Sequence, residues 1–344
     1  MEVVATRIRR RDLHLRTGSH YRPGRLILTL LTALLITAAL PAAAAADGPV
    51  TPTATNYLAR VTHEPRGVQA KVVDGYLNLW MQVPAHETVV VLDFEGAPWV
   101  RFDPAGVQIN LNSEEYYLSQ VPVPAIPPKG LTRNTTPRWR VVSSGHSYMW
   151  REGRLHALAT IALAPGASYV GPWTIAVTVN GHPSSVSGGI WHTGPPSPIW
   201  FWPILVMLAC AVAAWRVRSP ALDRRLGRIL LLVLLALIAI GMAGRYLHGR
   251  PGIQTGNVIL LAVILVALAA AAGRALSGKS GLPLLAATAI VALWAGLTLI
   301  TTLTHGYVLL ATPALVARTV TAALLGGSLS LALIGVRALD RVRT

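Results

Sequence analysis

The sequence predicts an antiparallel β-sandwich of immunoglobulin-like type, followed by an α-helical bundle that spans a membrane. The 344-residue chain is 53% hydrophobic with a mean hydropathy of +0.50, which is typical of integral membrane proteins. Its long apolar runs lie near the N-terminus and again after residue 197. Between them, apolar and polar residues alternate with a period of two, as in half-buried β-strands.

Residues 1–46 are typical of a secretory signal peptide. The short apolar run Leu26–Leu40 follows seven arginines and ends in small residues that include Ala44 and Ala46. Signal peptidase recognises a basic region, an apolar region and small residues in that order, which predicts cleavage near Asp47. A retained signal anchor is the alternative. Either segment would export the domain that follows it.

Residues 47–193 form the predicted exported β domain. The alternation is clearest in residues 76–83, 107–112 and 173–180. Glycine and proline separate about seven to nine such segments, a spacing that favours a sandwich of short antiparallel strands. The only cysteine of the chain, Cys210, lies outside this range, so no disulfide stabilises the domain.

Two proline-rich segments interrupt this pattern. Residues 120–138 carry five prolines and are predicted to form a surface loop, because proline cannot join the interior of a sheet. Residues 194–197 contain Pro195 and Pro196 and are predicted to be a stiff spacer that leads to the membrane.

Residues 198–337 are predicted to cross the membrane five times, and residues 338–344 to form a cytoplasmic tail. Each apolar run has about 16 to 23 residues, enough to span a bilayer core. The runs are Pro198–Trp215, Ile229–Gly244, Asn257–Gly273, Leu282–Thr304 and Thr319–Val336.

The net charge of +16 is concentrated beside these runs, whereas residues 47–197 have ten acidic and ten basic residues. With the β domain outside, the inner loops hold ten basic residues and the outer loops three. The positive-inside rule therefore predicts an external β domain and a cytoplasmic C-terminus in the plasma membrane of a bacterium. The basic residues are expected to contact the lipid bilayer and not nucleic acid.

Three features of the last spans carry structural predictions. Tyr307–Ala317 is too short to span and is predicted to be an external interfacial or re-entrant piece, because a span that included Arg318 would bury an unpaired charge. The polar cluster predicted near Arg318 contains Thr298, Thr301, Thr302, Thr304 and His305. The small residues Ala322, Gly326 and Ser330 are four apart, which predicts close helix packing.

Glu152-Gly153 separates two strand-like runs and predicts a two-residue hairpin turn. In that register Trp150 lies opposite Leu155 on the core face, and Met149 lies opposite His156 on the outer face.

A methionine thioether beside an imidazole suits a soft ion such as copper, so Met149 and His156 are candidate metal ligands. His146 is a third candidate metal ligand, with less support than the other two. The alternative is a solvated strand face that happens to include both residues, since two ligands alone make no metal site.

Several motifs resemble a family of exported, membrane-anchored actinobacterial proteins of undefined function. They are residues 95–102, Gly106-Val107, Asn110, Tyr116-Tyr117-Leu118, Trp139 and residues 150–158, within a region of roughly 65–190. The resemblance implies an extracytoplasmic β domain with C-terminal transmembrane helices.

The family pattern at residues 150–158 is Trp-His-Asp-His-Arg-x-His-Trp-Met. Trp150, Arg154 and His156 match this pattern, and Glu152 keeps the acid. Two histidines and the methionine are replaced by Arg151, Gly153 and Leu158. If the family binds metal through this cluster, this chain has lost most of the ligands.

The sequence contains no Gly-x-Ser-x-Gly, Walker, His-Glu-x-x-His or Cys-x-x-Cys motif. The adjacent carboxylates Glu114 and Glu115 are predicted to lie in a solvated turn. No acid lies within a predicted span, which argues against a proton-coupled or cation-coupled transporter.

The sequence therefore predicts a non-enzymatic membrane protein, without a cofactor, that presents its exported sandwich to a protein partner or to the cell envelope. The alternative is a copper-handling protein that binds, senses or transfers the ion.

Overall fold

The computed structural model describes residues 52–120, 124–156, 167–216, 219–248, 255–278 and 281–343. The predicted signal peptide lies outside the described residues. Strands dominate before residue 193 and long helices after residue 197.

Antiparallel strands form most of the N-terminal domain. Seven strands make one sheet in the order β2-β11-β10-β5-β6-β7-β8, and three make another in the order β3-β4-β9. The strands are β1 (Ala54–Thr55), β2 (Tyr57–His63), β3 (Gln69–Val73), β4 (Asn78–Gln82), β5 (Val89–Leu92), β6 (Pro98–Asp103), β7 (Gly106–Asn110), β8 (Trp139–Ser143), β9 (Ser147–Arg151), β10 (Tyr169–Val179) and β11 (His182–His192). The predicted antiparallel β domain is confirmed, and its immunoglobulin-like sandwich topology stays a prediction.

Both sheets contribute to one hydrophobic core. Leu79 and Met81 of β4 are buried together with Phe102 of β6 and Ile175 of β10. Burial of each such side chain stabilises the fold by about 1.5 to 3 kcal/mol. The alternation predicted for residues 173–180 is confirmed, because Trp173, Ile175 and Val177 are buried and the residues between them are not.

The long hairpin of β10 and β11 is closed by Asn180 and Gly181. Val179 lies opposite His182, so Asn180 and Gly181 form the whole loop. Their φ angles are 50° and 81°, the left-handed values that a type I′ turn needs at both central positions. Asn-Gly is the pair that adopts this turn most readily, which sets the register of the central strands.

The helices are α1 (Glu114–Leu118) in the β domain and then α2 (Trp202–Trp215), α3 (Pro220–Tyr246), α4 (Thr255–Leu276), α5 (Leu282–Thr298), α6 (Thr301–Thr304) and α7 (Ala314–Arg343). A two-residue strand, β12 (Tyr307–Val308), lies between α6 and α7. In the described residues three helices are long and apolar enough to cross a membrane: Pro220–Tyr246, Thr255–Leu276 and Ala314–Ala338. Pro198–Ala214 and Leu282–Thr298 are shorter and apolar. The helical C-terminal region is thus confirmed, and its five crossings stay a prediction.

Helix α7 is the centre of the bundle and packs against α2, α3 and α5, whereas α4 packs against α3. Gly326 faces α2 so closely that an added Cβ would come within 3.0 Å of Ile204 Cα. One turn later, the Ser330 hydroxyl donates a hydrogen bond to the Met207 carbonyl at 3.1 Å. The close packing predicted from the small residues of this helix is confirmed.

A buried ion pair joins the helices at the end of the bundle farthest from the β domain. Arg337 Nη1 lies 3.3 Å from Asp223 Oδ1 and donates to the Ala214 carbonyl at 2.7 Å. These contacts connect the end of α7 with the start of α3 and the end of α2. We call this side of the bundle the remote end.

Candidate functional site

The hairpin predicted at Glu152-Gly153 is wrong. Strand β9 pairs instead with β4, and Gly153–Leu155 forms a 3₁₀ helix. Glu152 caps this helix, since its side chain accepts a hydrogen bond from the Arg154 backbone N–H at 3.2 Å. A capping carboxylate offers the backbone an alternative to the strand ladder, which explains why β9 ends here.

The three candidate metal ligands occupy different settings. Met149 lies opposite Trp80 of β4 and not opposite His156. The backbone carbonyl of His146 accepts a hydrogen bond from Val83 N–H at 3.0 Å. Within the described residues, no group of three or more His, Cys, Asp or Glu side chains could hold a metal ion. A metal role for these residues stays a prediction, but the strand register that suggested it, with Met149 opposite His156, is not formed.

His156 packs edge-on against Tyr76, with ring centroids 5.9 Å apart. Its Nε2 is buried and has no hydrogen-bond partner. Burial and the Arg151 charge lower the pKa of His156, and the Glu152 carboxylate opposes them only in part. The ring is therefore neutral and tied to the core, which differs from the exposed outer face expected for it.

Four ionisable side chains, Asp93, Glu115, Glu152 and Arg154, interact inside the β domain, and we call this group the acid cluster. Glu152 is fully buried, and Arg154 binds it through two parallel contacts, Nε to Oε1 at 2.7 Å and Nη2 to Oε2 at 2.8 Å. The Trp150 indole N–H donates to Glu152 Oε2 at 2.9 Å. A bidentate pair with this additional donor keeps the Glu152 charge compensated inside the domain.

Glu115 is the second buried carboxyl group of the acid cluster. It is 1% exposed, and burial, followed by the charges of Glu152 and Asp93, raises its pKa to about 8 despite the opposing Arg154 charge and a backbone hydrogen bond from Gly153. Glu115 is therefore mostly protonated at neutral pH.

The solvated turn predicted for Glu114 and Glu115 is wrong for Glu115, because α1 turns it inward. Ser113 caps this helix, accepting the Glu115 N–H at 3.2 Å, and its hydroxyl donates to Asp93 Oδ2 at 2.7 Å. A serine before an acidic first turn is an N-cap signal that could have found this helix.

The acid cluster has one property of an acid–base pair, because Glu115 is protonated while Glu152 forms an ion pair. Both carboxyl groups are shielded from solvent, however, so a substrate cannot reach them in this conformation. What the cluster does is bind loops together: Arg154 Nη1 donates to the Leu92 carbonyl at 2.8 Å, and Asp93 accepts from the backbone of Ala97 at 2.8 Å.

A second group of contacts, the membrane junction, joins the β domain to the helices. Strand β1 pairs with β12, with Ala54 opposite Val308 and Thr55 opposite Tyr307. Asn56 Oδ1 accepts the Gly306 N–H at 2.9 Å. Of the piece expected at Tyr307–Ala317 to be interfacial or re-entrant, the first two residues form a strand, since the backbone of β1 offers hydrogen bonds there, and the last four belong to α7, which begins at Ala314. Its position relative to the membrane stays a prediction.

Arg318 lies at the same level and is not an unpaired charge. Its guanidinium donates to the backbone carbonyls of Thr302, His305 and Gly306 at 3.0, 3.3 and 3.0 Å. The Thr53 hydroxyl also reaches the Thr301 hydroxyl from the β domain. The predicted proximity of the threonine-rich segment to Arg318 is confirmed, and the cation satisfies carbonyls that α6 leaves free at its C-terminus.

The outer face of the large sheet carries an aromatic surface that we call the outer patch: Arg60, Tyr169 and Trp191. The two rings are 5.6 Å apart, and the Arg60 guanidinium lies 5.6 Å from the Trp191 ring centroid. An added Cβ at Gly189 would come within 2.8 Å of Tyr169 and 2.9 Å of Trp191. Glycine therefore leaves the space that both rings occupy over this position, and sequence reasoning missed this patch.

No protein-family model, curated protein or solved structure matches this chain. Its function has to be inferred from the chemistry of these three sites.

Proposed function

We propose that the protein is a non-enzymatic membrane protein of the bacterial plasma membrane that presents its exported β domain to a partner in the membrane or the cell envelope. The proposal adopts the topology that the positive-inside rule predicts, with the C-terminus in the cytoplasm. Copper handling has no comparable support, since β9 pairs Met149 with Trp80 and not with His156.

The membrane junction is the observation that carries the proposal. A linker such as residues 194–197 alone would leave the β domain free to rotate above the bilayer. The pairing of β1 with β12, together with the Asn56–Gly306 hydrogen bond between residues that are 250 apart along the chain, adds a second attachment. Two attachments restrict the directions in which the domain can point, which is useful to a protein that displays a surface.

The outer patch is the surface best suited to that display. Tyrosine, tryptophan and arginine are the residues most enriched at the energetic centres of protein interfaces. Tyr169 is 50% exposed, and its ring packs against Trp191, which in turn packs against the Arg60 guanidinium. A pre-ordered aromatic surface loses little side-chain entropy on binding.

The acid cluster supports the non-enzymatic part of the proposal. Its carboxyl groups are the strongest candidates for acid–base chemistry among the described residues, and they are engaged with Arg154, Trp150 and backbone groups inside the domain. This arrangement stabilises loops, and burial keeps the carboxyl groups of the cluster away from a substrate.

Site-specific photo-crosslinking in living cells tests the proposal. A photoreactive residue in place of Tyr169 should form a discrete adduct, and Trp191→Ala in the same chain should abolish it. The matched control replaces Val141, which is 64% exposed on β8 at the opposite edge of the sheet, and should form none. Equal adducts at both positions, or none at position 169, would refute the outer patch as a binding surface.

A further inference from the structure

The remote end of the bundle carries a basic hollow with a volume of about 340 Å³. It lies on the first turns of α3, and three of its lining residues are arginines. The lining residues are Ala221, Arg224, Arg225, Arg228 and Ile229.

The three arginines have no carboxylate partner within the described part of the chain. All three are exposed, and the nearest acid in sequence, Asp223, is turned into the bundle, where it pairs with Arg337 at 3.3 Å. The side of α3 that faces outward is therefore left with three positive charges, and none of the five lining side chains contains an oxygen atom. An anion is the ligand that such a site attracts.

We propose that Arg224, Arg225 and Arg228 bind the phosphate group of an anionic phospholipid at the remote end of the bundle. The guanidinium group presents parallel N–H donors that match the oxygens of a phosphate. The site rests on the membrane association of α3 and not on the function proposed for the β domain.

Two features favour a lipid over free phosphate. Ile229 is 59% exposed beside the arginines, so the hollow has an apolar side that can contact the glycerol and acyl part of a lipid. The same helix continues into a membrane-crossing segment of high hydropathy, which brings the arginines to the height of the headgroups.

Thermal unfolding of the full-length protein in zwitterionic detergent micelles tests the site. Phosphatidylglycerol is titrated against the wild type and against Arg224→Gln/Arg225→Gln/Arg228→Gln. The control is Arg66→Gln/Arg133→Gln/Arg138→Gln, which removes the same charge from exposed positions of the β domain. A third variant, with lysine at the three sites, keeps the charge without the planar donors.

Phosphatidylglycerol should raise the melting temperature of the wild type and of the control alike, and phosphatidylcholine should not. The glutamine triple variant should bind about a hundredfold more weakly, since each surface arginine contributes about 1 kcal/mol to anionic lipid binding. The lysine variant should retain part of the affinity, which separates loss of the site from misfolding. An undiminished shift in the glutamine variant would overturn the site, and a full shift with inorganic phosphate alone would overturn the lipid.

Discussion

Glu115 illustrates how burial and neighbouring side chains together determine the charge of a carboxyl group. Burial is the main cause of its raised pKa, and the nearby carboxyl groups of Glu152 and Asp93 add to it, so Glu115 is accommodated in the cluster in its protonated form. The capping hydroxyl of Ser113 fixes the start of α1 and thereby points Glu115 inward. The burial of Glu115 therefore follows from the helix cap, which sets the direction of its side chain.

The raised pKa of Glu115 makes the stability of the β domain depend on pH. The pKa is about 8 in the folded state and 4.5 in the reference state, so the folded protein binds more protons between these values. The free energy of unfolding should therefore fall as pH rises from 5 to 8.5. Glu115→Gln should remove this dependence, a difference of roughly 2 to 4 kcal/mol in urea unfolding.

His156 acts in the opposite direction, because its pKa is lowered from 6.5 and its contribution is lost as pH falls. It is present in both the wild type and Glu115→Gln, so it cancels in the comparison. Equal pH dependence in the two proteins would show that Glu115 is charged in the folded state.

Trp150 and Met149 are adjacent in β9 but face opposite sides of the sheet. Trp150 is 5% exposed and binds the Glu152 carboxylate, so Trp150→Ala should cost about 3 to 5 kcal/mol of unfolding free energy. Met149→Ala, on the outer face beside Trp80, should cost less than about 1 kcal/mol. Chemical denaturation of the two variants measures the contrast, and similar losses would contradict the orientation of β9.

At the scale of secondary structure, residue patterns predict well where the strands of the β domain lie, but they predict poorly which strands pair with each other. The period of two in β10 follows from local burial, and the Asn180-Gly181 turn is a local signal. The hairpin at Glu152 failed because Arg154 also donates to Leu92, 62 residues away along the chain. Such a tertiary partner is not visible in a local pattern. The outer patch was missed for the same reason, since its residues come from three different strands.

The packing of α7 on α2 depends on the small size of Gly326. Its Cβ position is 3.0 Å from Ile204 Cα and 3.1 Å from the Met207 sulfur, so a larger side chain must separate the helices. Gly326→Leu should lower the melting temperature of the detergent-solubilised protein by several degrees. The matched control is Gly273→Leu on α4, where nothing lies within 4 Å, and it should leave the melting temperature nearly unchanged. Equal effects of the two substitutions would argue against this interface.

At the scale of the whole molecule, the basic hollow on α3 and the membrane junction lie at opposite ends of the bundle. Arg318 and the threonine-rich segment support the β domain, whereas Arg337 and the hollow on α3 lie at the remote end. This polarity agrees with the proposed orientation, in which the remote end faces the cytoplasm.

Reporter fusions test this orientation. A reporter that is active only in the cytoplasm should work when it is fused after Thr344 and fail when it is fused after Gly194, because the positive-inside rule places the two sites on opposite sides. An enzyme that is active only outside should give the reverse pattern. Activity of the cytoplasmic reporter at Gly194 would invert the topology.

The most direct test of an exported β domain docked on its membrane helices is a disulfide across the membrane junction. Thr55 and Tyr307 are opposed in the β1–β12 pair, and opposed residues in antiparallel strands are about 4.5 to 5.5 Å apart at Cα, within the range that a disulfide spans. Cys210→Ala first removes the only native cysteine, and Thr55→Cys/Tyr307→Cys is then expressed in cells. We expect the cross-link to form without added oxidant, because export exposes the junction to an oxidising compartment. The control pair Thr55→Cys/Val141→Cys should remain reduced. If the junction cysteines stay unlinked even with added oxidant, the β domain is not docked on the helices as described.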